Sequence, residues 1–310
     1  MLSRSFPLNA RVPRQVATSL RARLVTGQSV ITGGLGALGT LVRRFITLCN
    51  TPTSPLALLS RAGRAASNMT LAAFVEISRC DASLRGERLL ARGAAHGQGD
   101  KRTSTVSIFH AAGVLADATA FKQTPAHSWT AFAPKLTARN GLIAAVGWAS
   151  PAHSTVLFSS VTALGSPRQC NYSAANGAMA VEAARARASG TTEWSMQWGG
   201  WAGEGMMSFN PNGPARLLRM GWGVVVPAVG LAVVDRLLRQ TAHPALLLPP
   251  VIIATPFNWP VSAASCTAEG LSVEYCSCVL STQVPIETIE LCIVEAVATV
   301  ANLEVSKNDP

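Results

Sequence analysis

Ser160, Tyr172 and Asn176 carry side chains that could deliver a proton to a carbonyl oxygen. They lie in the segment Ser154–Met179, STVLFSSVTALGSPRQCNYSAANGAM, where an apolar run closes on Ser159 and Ser160, Tyr172 follows, and Asn176 lies four residues on. If Tyr172 opens a helix, Asn176 shares its face one turn along. A phenol so placed can give a proton to a carbonyl while a serine hydroxyl holds the same oxygen. A free tyrosine, with a pKa of about 10, is too weak an acid near neutrality, so the scheme needs a nearby cation, and Lys135 is the candidate. The plain alternative is a buried parallel strand ending in a polar turn, its Ser, Tyr and Asn purely structural.

Positioning such groups needs a frame, and the N-terminal half supplies one. Gln28–Gly39 reads QSVITGGLGALG, an apolar strand entering a glycine-rich turn, then an apolar helix over Leu41–Leu48. Glycines let backbone amides approach a pyrophosphate, and the helix N-terminus behind them favours negative charge. The candidate cradle is Thr32, Gly33, Gly34, Leu35, Gly36 and Leu38. The next strand, Leu56–Ser60, runs into Arg61, with no acidic residue before Glu76. An acid after this strand suits a ribose 2′-hydroxyl and an arginine a 2′-phosphate, so Ser60 and Arg61 favour NADPH over NADH. Val75–Asp81 reads as a third strand with Asp81 able to accept from an adenine amine. Val106–Gly113 reads as a fourth, its turn of Ala111, Ala112 and Gly113 passing under the cofactor, and His110 reads as a packed residue of that turn.

Taken together, TGGLGALG, LLSRAGR, FHAAGVLAD, FAPKLTA, LFSSVTALGSPRQCNYSAANGAMA and MQWGGWAGEGM occur in this order over residues 27–260. This set resembles the ketoreductase domain of modular polyketide synthases and fatty acid synthases, a branch of the short-chain dehydrogenase superfamily. Ordinary short-chain dehydrogenases carry a lysine four residues after the tyrosine. Here that position is Asn176 and the lysine lies upstream at Lys135, an exchange typical of the polyketide branch. The resemblance implies an α/β fold, a Rossmann-type doubly wound parallel sheet with helices on both faces, followed by a short C-terminal helical segment. It implies Tyr172 as proton donor, Ser160 as its partner on the substrate oxygen, Lys135 as the cation that lowers the phenol pKa, and Asn176 holding the lysine or a water. The implied substrate is a β-ketoacyl thioester on the phosphopantetheine arm of an acyl carrier protein domain, reduced by hydride from NADPH. Gly199 would line the nicotinamide end, and Met206 would begin a lid completed by residues 211–223. Leu115, Ala116 and Asp117, with Pro167 and Asn171, are similar to the B-type stereocontrol pattern, which gives a D-configured 3-hydroxyl; Ala116 breaks its Leu-Asp-Asp triplet.

The chain departs from the family in several places. The spacing from Ser160 to Tyr172 is one residue short, so either the loop absorbs the loss or Ser159 takes the catalytic place. The stretch from Arg61 to Asp81 is short for a full crossover helix, and residues 81–105 show no clean helical pattern. Residues 1–26 are a basic segment, either linker or transit-like. Family members carry a second, degenerate nucleotide-binding half upstream, so the expected partners include such a structural half or other synthase modules. Residues 261–284 read as linker. Residues 285–310, with Ile286, Ile289, Ile293, Val297 and Val300 at helical spacing, read as a truncated carrier-like first helix or a terminal helix packed on the reductase.

Composition bounds the remainder. With 48% hydrophobic and 14% charged residues, the 310 residues can bury one α/β core with a small appendage. The formal charge is +10, yet residues 1–75 hold nine arginines and no acid, leaving +1 for everything after. No basic patch is interleaved with aromatics, which argues against nucleic acid, and prolines interrupt the best apolar run, which argues against a membrane span. Seven cysteines without a CxxC pair suggest reduced thiols, and the five histidines have no metal-ligand spacing. The expected location is cytoplasmic, or organellar if the N-terminal segment is a transit peptide. Trp194, Trp198 and Trp201 fall in and after the sixth strand, Trp194 reading as core. Two rival functions stay open: a stand-alone dehydrogenase acting on a free ketone, and a non-catalytic cofactor-binding fragment of a synthase.

Overall fold

Alternation along a single strand sets up a core with two faces. In the strand His153–Ser160 (β5), Val156 and Phe158 pack to one side and Leu157 to the other, as the period of two requires. The computed structural model describes residues 28–49, 55–64, 71, 74–84, 106–146, 153–203, 213–240, 248–258, 260–261 and 264.

The other elements, in chain order, are β1 (Gln28–Thr32), α1 (Ala37–Cys49), β2 (Leu56–Ser60), β3 (Val75–Arg79), β4 (Val106–His110), α2 (Pro125–Phe132) and, after a π-helical turn at Ala133–Thr137, α3 (Ala138–Val146). Beyond β5 come α4 (Cys170–Ala188), β6 (Thr192–Trp198), β7 (Gly200–Trp201), α5 (Gly213–Arg219), β8 (Val224–Val225), α6 (Pro227–Gln240) and β9 (Val251–Ala254). Seven strands form one sheet in the order β3-β2-β1-β4-β5-β6-β9, and every pairing is parallel. Strand order reverses between β1 and β4, and a crevice opens at such a switch point beyond the carboxyl ends of the strands.

On one face, Ile31, Leu58, Phe109, Val156, Phe158, Trp194 and Met196 pack against Val42, Phe45 and Ile46 of α1 and Leu231, Val234 and Leu237 of α6. On the other, Val30, Ala57, Leu59 and Ile108 meet Ala138, Leu142 and Val146 of α3, while Leu157 meets Met179 and Ala183 of α4. Helices on both faces of a parallel sheet are the arrangement expected from the sequence. One polar feature crosses the second face: Arg139 of α3 makes two hydrogen bonds of 2.9 and 2.7 Å to Glu193 of β6 and one of 3.1 Å to Glu182 of α4. With Glu193 only 1% exposed, this fork keeps a buried carboxylate paired and ties three elements together.

Three boundaries differ from expectation. The first helix starts at Ala37, four residues before Leu41, because the turn closed by the Gly36 amide on the Gly33 carbonyl (2.8 Å) leads directly into it. The third strand ends at Arg79 and the fourth at His110, because Asp81 forms a local turn and Ala111–Gly113 leave the sheet. The lid region contains the short helix α5 over Gly213–Arg219. The basic N-terminal segment, most of both early crossovers and residues 265–310 lie outside the described residues, and so does the expected C-terminal helix.

Candidate active site

The glycine turn after β1 leaves backbone bare at the switch point. Gly33 has φ +63, and a Cβ there would lie 3.0 Å from the Cα and N of Ala112 in the turn after β4. A Cβ on Gly39 would run into the Gly33 carbonyl oxygen, so α1 can pack onto the loop only with glycine at this position. Leu35 and Leu38 are half-buried against the core and fix the turn from below. Backbone approach at a helix N-terminus, cleared by glycine on both sides, fits a pyrophosphate. Along the same edge, Ser60 accepts from the Ala62 amide (3.3 Å), Arg61 is exposed, and Asp81 accepts from the Ser83 amide (3.0 Å). The Thr32 hydroxyl faces inward to His110, so from Thr32 the cradle receives main chain alone.

Lys135 reaches the crevice from the π-helical turn between α2 and α3. Pro134 lies inside that turn; it has no N–H and its ring would clash with a regular helical ladder, so the ladder widens there. The side chain is 2% exposed, its Nζ donates to the Phe158 carbonyl (3.0 Å), and it lies 5.1 Å from the centroid of the Tyr172 ring. Gly113 borders it, since a Cβ there would sit 3.5 Å from Nζ. Burial lowers the lysine pKa to about 7.

Tyr172 lies in the first turn of α4 and is buried. Burial pushes its phenol up to about 12, opposed by a hydrogen-bonding contribution from Asn176 and reinforced by the charge of Asp117. Asn176 lies one turn further, as the spacing requires; its Nδ2 donates to the Tyr172 carbonyl (2.8 Å). Ser159 donates toward Asn176, at 3.2 Å to Oδ1 and 3.3 Å to the carbonyl. Ser160 instead accepts from the Thr162 amide (3.2 Å) and caps the short 3-10 turn Val161–Leu164.

Beside the tyrosine, the residues expected to govern stereochemistry form one wall. Asn171 donates to the carbonyls of Ala116 (2.9 Å) and His127 (3.0 Å), and the Ala118 amide donates to the Arg168 carbonyl (3.0 Å). Gln169 donates to both carboxylate oxygens of Asp117 (3.2 and 3.0 Å) and accepts from Ser166 (3.0 Å). Arg216 of α5 clasps the Ser166 hydroxyl (3.0 Å) and the Pro167 carbonyl (2.9 Å). Arg216 belongs to the lid segment expected over residues 211–223, and its partners Ser166 and Pro167 are set by the fold; Gln169 has no spacing in the sequence that announces Asp117. Gly199 follows β6 where a Cβ would strike Thr255, and Trp198 and Trp201 make an edge contact there at 5.0 Å. Met206 lies outside the described residues. Among the described residues there is no metal-ligand cluster and no helix long and apolar enough to cross a membrane.

A parallel sheet in this order, with a glycine turn at its switch point and a buried lysine and tyrosine beside it, is the short-chain dehydrogenase arrangement, a class of oxidoreductases whose domains bind a nicotinamide cofactor. Within that class, residues 27–203 match the family model described as "KR domain", and the chain belongs to that family. It is 33% identical over 233 residues to the polyketide synthase GfsB of Streptomyces halstedii, an alignment covering 72% of this chain and 4% of that protein. Among solved structures it is similar to an A1-type ketoreductase, with TM-score 0.67, 26% identity, and coverage of 90% of this chain and 56% of the other. It is also similar to the first ketoreductase of the tylosin polyketide synthase, with TM-score 0.65, 26% identity and coverage of 89% and 57%. The chain therefore spans a small fraction of that curated synthase and somewhat over half of the solved ketoreductases.

Proposed function

We propose that this domain reduces the β-carbonyl of a β-ketoacyl thioester, carried on the phosphopantetheine arm of an acyl carrier domain, to the β-hydroxyacyl thioester with NADPH. The observation that carries this reading is the convergence of Lys135, Tyr172, Asn176 and Ser159 at the end of β5, where Ser160 is the next residue. When bound, NADPH supplies the hydride that adds to the β-carbon and leaves as NADP+. Tyr172 supplies the proton that completes the hydroxyl. Ser160 is the better candidate for holding the substrate oxygen, because its oxygen accepts from Thr162 and its own proton remains to be donated. The Ser159 proton is engaged by Asn176, which suits a supporting role.

The cradle residues Gly33, Gly34 and Gly36 take the pyrophosphate, and Gly113 borders the nicotinamide end beside Lys135. Arg61 supports a 2′-phosphate, since a guanidinium pairs with phosphate in a fork. Burial, with the charge of Asp117 adding to it, drives the phenol upward, and burial drives the ammonium downward. Proton donation therefore calls for negative charge to grow on the phenol next to a protonated lysine, each stabilising the other in a site closed to water. Asp117, Pro167 and Asn171 form the wall along which the acyl arm enters, and their likeness to the B-type pattern supports a D-configured product.

NADPH oxidation with a β-ketoacyl N-acetylcysteamine thioester, run beside a Tyr172→Phe variant, tests the reading. Turnover is expected in the parent and a loss of at least about a hundredfold in the variant, the range for removing a general acid. A folded parent that binds NADPH and turns over no thioester overturns it in favour of a non-catalytic fragment. Chiral analysis of the product tests the stereochemical assignment separately.

A further inference from the structure

His110 takes no part in the chemistry above, yet both of its ring nitrogens are engaged. Strand register places it beside Thr32 of β1, whose Oγ1 lies 2.7 Å from Nδ1. Its Nε2 lies 2.7 Å from the backbone carbonyl oxygen of Lys135. A carbonyl only accepts, so Nε2 carries the proton and Nδ1 accepts from the threonine hydroxyl, which fixes the tautomer. The ring is 1% exposed; burial first, then the charges of Lys135 in the π-turn and Arg139 in α3, lower its pKa to about 4 and keep it neutral.

The carbonyl it holds belongs to the one wide turn between α2 and α3. The π-turn, with its internal proline, interrupts the regular helical ladder, and the lysine side chain leaves from inside it. A bond from a β-strand side chain pins that turn to the sheet. We propose that His110 is a positioning residue: it fixes the Lys135 main chain to the end of β1, the strand that enters the glycine turn, and so sets where the lysine side chain stands relative to Tyr172. Calling that lysine catalytic rests on the proposed reductase activity; its placement by His110 does not.

The test uses His110→Phe, which keeps a ring and removes both bonds, and His110→Gln, whose amide can keep a donor near the place of Nε2. Two measurements run in parallel on the full chain. One is NADPH oxidation with the thioester. The other, needing no substrate, follows the Cε resonance of Lys135 against pH in protein carrying 13C-lysine, assigned among the four lysines with Lys135→Met. The Phe variant is expected to lose about a hundredfold in kcat, the effect of a misplacement of about 1 Å, with KM for NADPH changed less than about twofold. Its Lys135 titration midpoint should rise from near 7 toward the free value of 10.5. The Gln variant should recover most of both. An unchanged midpoint in the folded Phe variant, or a Gln variant as impaired as Phe in both readouts, overturns the proposal. A parent with no turnover defeats the reductase reading while the titration still decides the positioning. If His110→Phe does not fold, Thr32→Val carries the same titration, because it frees the ring while keeping the histidine; an unmoved midpoint there also counts against the proposal.

Discussion

Lys135 Nζ lies over the face of the Tyr172 ring, 5.1 Å from its centroid, and burial moves the two groups' pKa values in opposite directions, to about 7 and about 12. The lysine value makes a stability prediction in the cofactor-free protein. Between about pH 7 and 10.5 the unfolded chain holds a proton at this position that the folded chain lacks, so stability rises with pH through that window. The burial penalty is full below pH 7 and vanishes as the unfolded lysine also deprotonates. Urea unfolding at pH 6.5 and pH 9.5 should therefore show a gain at the higher pH of roughly a few kcal/mol, and Lys135→Met should remove this gain. Equal pH slopes in parent and variant would contradict a burial penalty on the Lys135 ammonium.

The two serines at the end of β5 separate by what they do with their protons. Ser160→Ala should lower kcat by about a hundredfold, as for loss of a donor to the developing oxyanion, with NADPH affinity retained. Ser159→Ala should leave Asn176 short of one partner, lowering stability by about 1 kcal/mol and kcat by much less than Ser160→Ala. Steady-state kinetics and denaturation of the pair decide it. The reverse ranking would assign the catalytic place to Ser159, the alternative left open by the short spacing to Tyr172.

What could be read in the sequence is what local spacing encodes. The glycine turn stands between an apolar strand and a helix, and the Tyr172–Asn176 relation is one helical turn, so both appear where expected. The strands of β4 and β5 were recognisable as apolar runs ending in small or polar residues, and their motifs led to the right family. The clasp around Asp117 was not legible, because Gln169 lies 52 residues away and Arg216 joins Ser166 across 50. The same holds for His110, read as packed: its burial followed from the strand pattern, but its bonds to Thr32 and Lys135 span 78 and 25 residues. Spacing alone gave no choice between Ser159 and Ser160 either; that distinction comes from which neighbour each hydroxyl meets.

Arg168 is the only non-glycine residue with positive φ among the described residues, at +65, in the loop that leads to Tyr172. Its side chain is exposed, while its carbonyl accepts from the Ala118 amide and so holds the wall of the cleft. The left-handed region costs a residue with a Cβ about 1–2 kcal/mol, and glycine gives back part of that as unfolded-state entropy. Arg168→Gly should thus stabilise the domain by up to about 1 kcal/mol and raise Tm by a few degrees, with the backbone bond kept. A lower Tm would show that the arginine side chain contributes more than the strain.

Arg61 offers the sharpest test of cofactor choice. It is exposed at the end of β2, and no carboxylate precedes Glu76 to receive a ribose 2′-hydroxyl. An exposed guanidinium has little to do for folding, but beside a 2′-phosphate it can form charge-assisted, forked hydrogen bonds. Replacing it with alanine should raise KM for NADPH at least about tenfold, the loss of a charged hydrogen bond of about 1.5–3 kcal/mol, and leave KM for NADH nearly unchanged. The difference should shrink in high salt, because screening weakens an exposed ion pair. Initial rates with both cofactors, for parent and Arg61→Ala at two ionic strengths, measure this directly. If both cofactors weaken together, Arg61 serves the shape of the loop instead, and the proposal that it selects the phosphorylated cofactor falls.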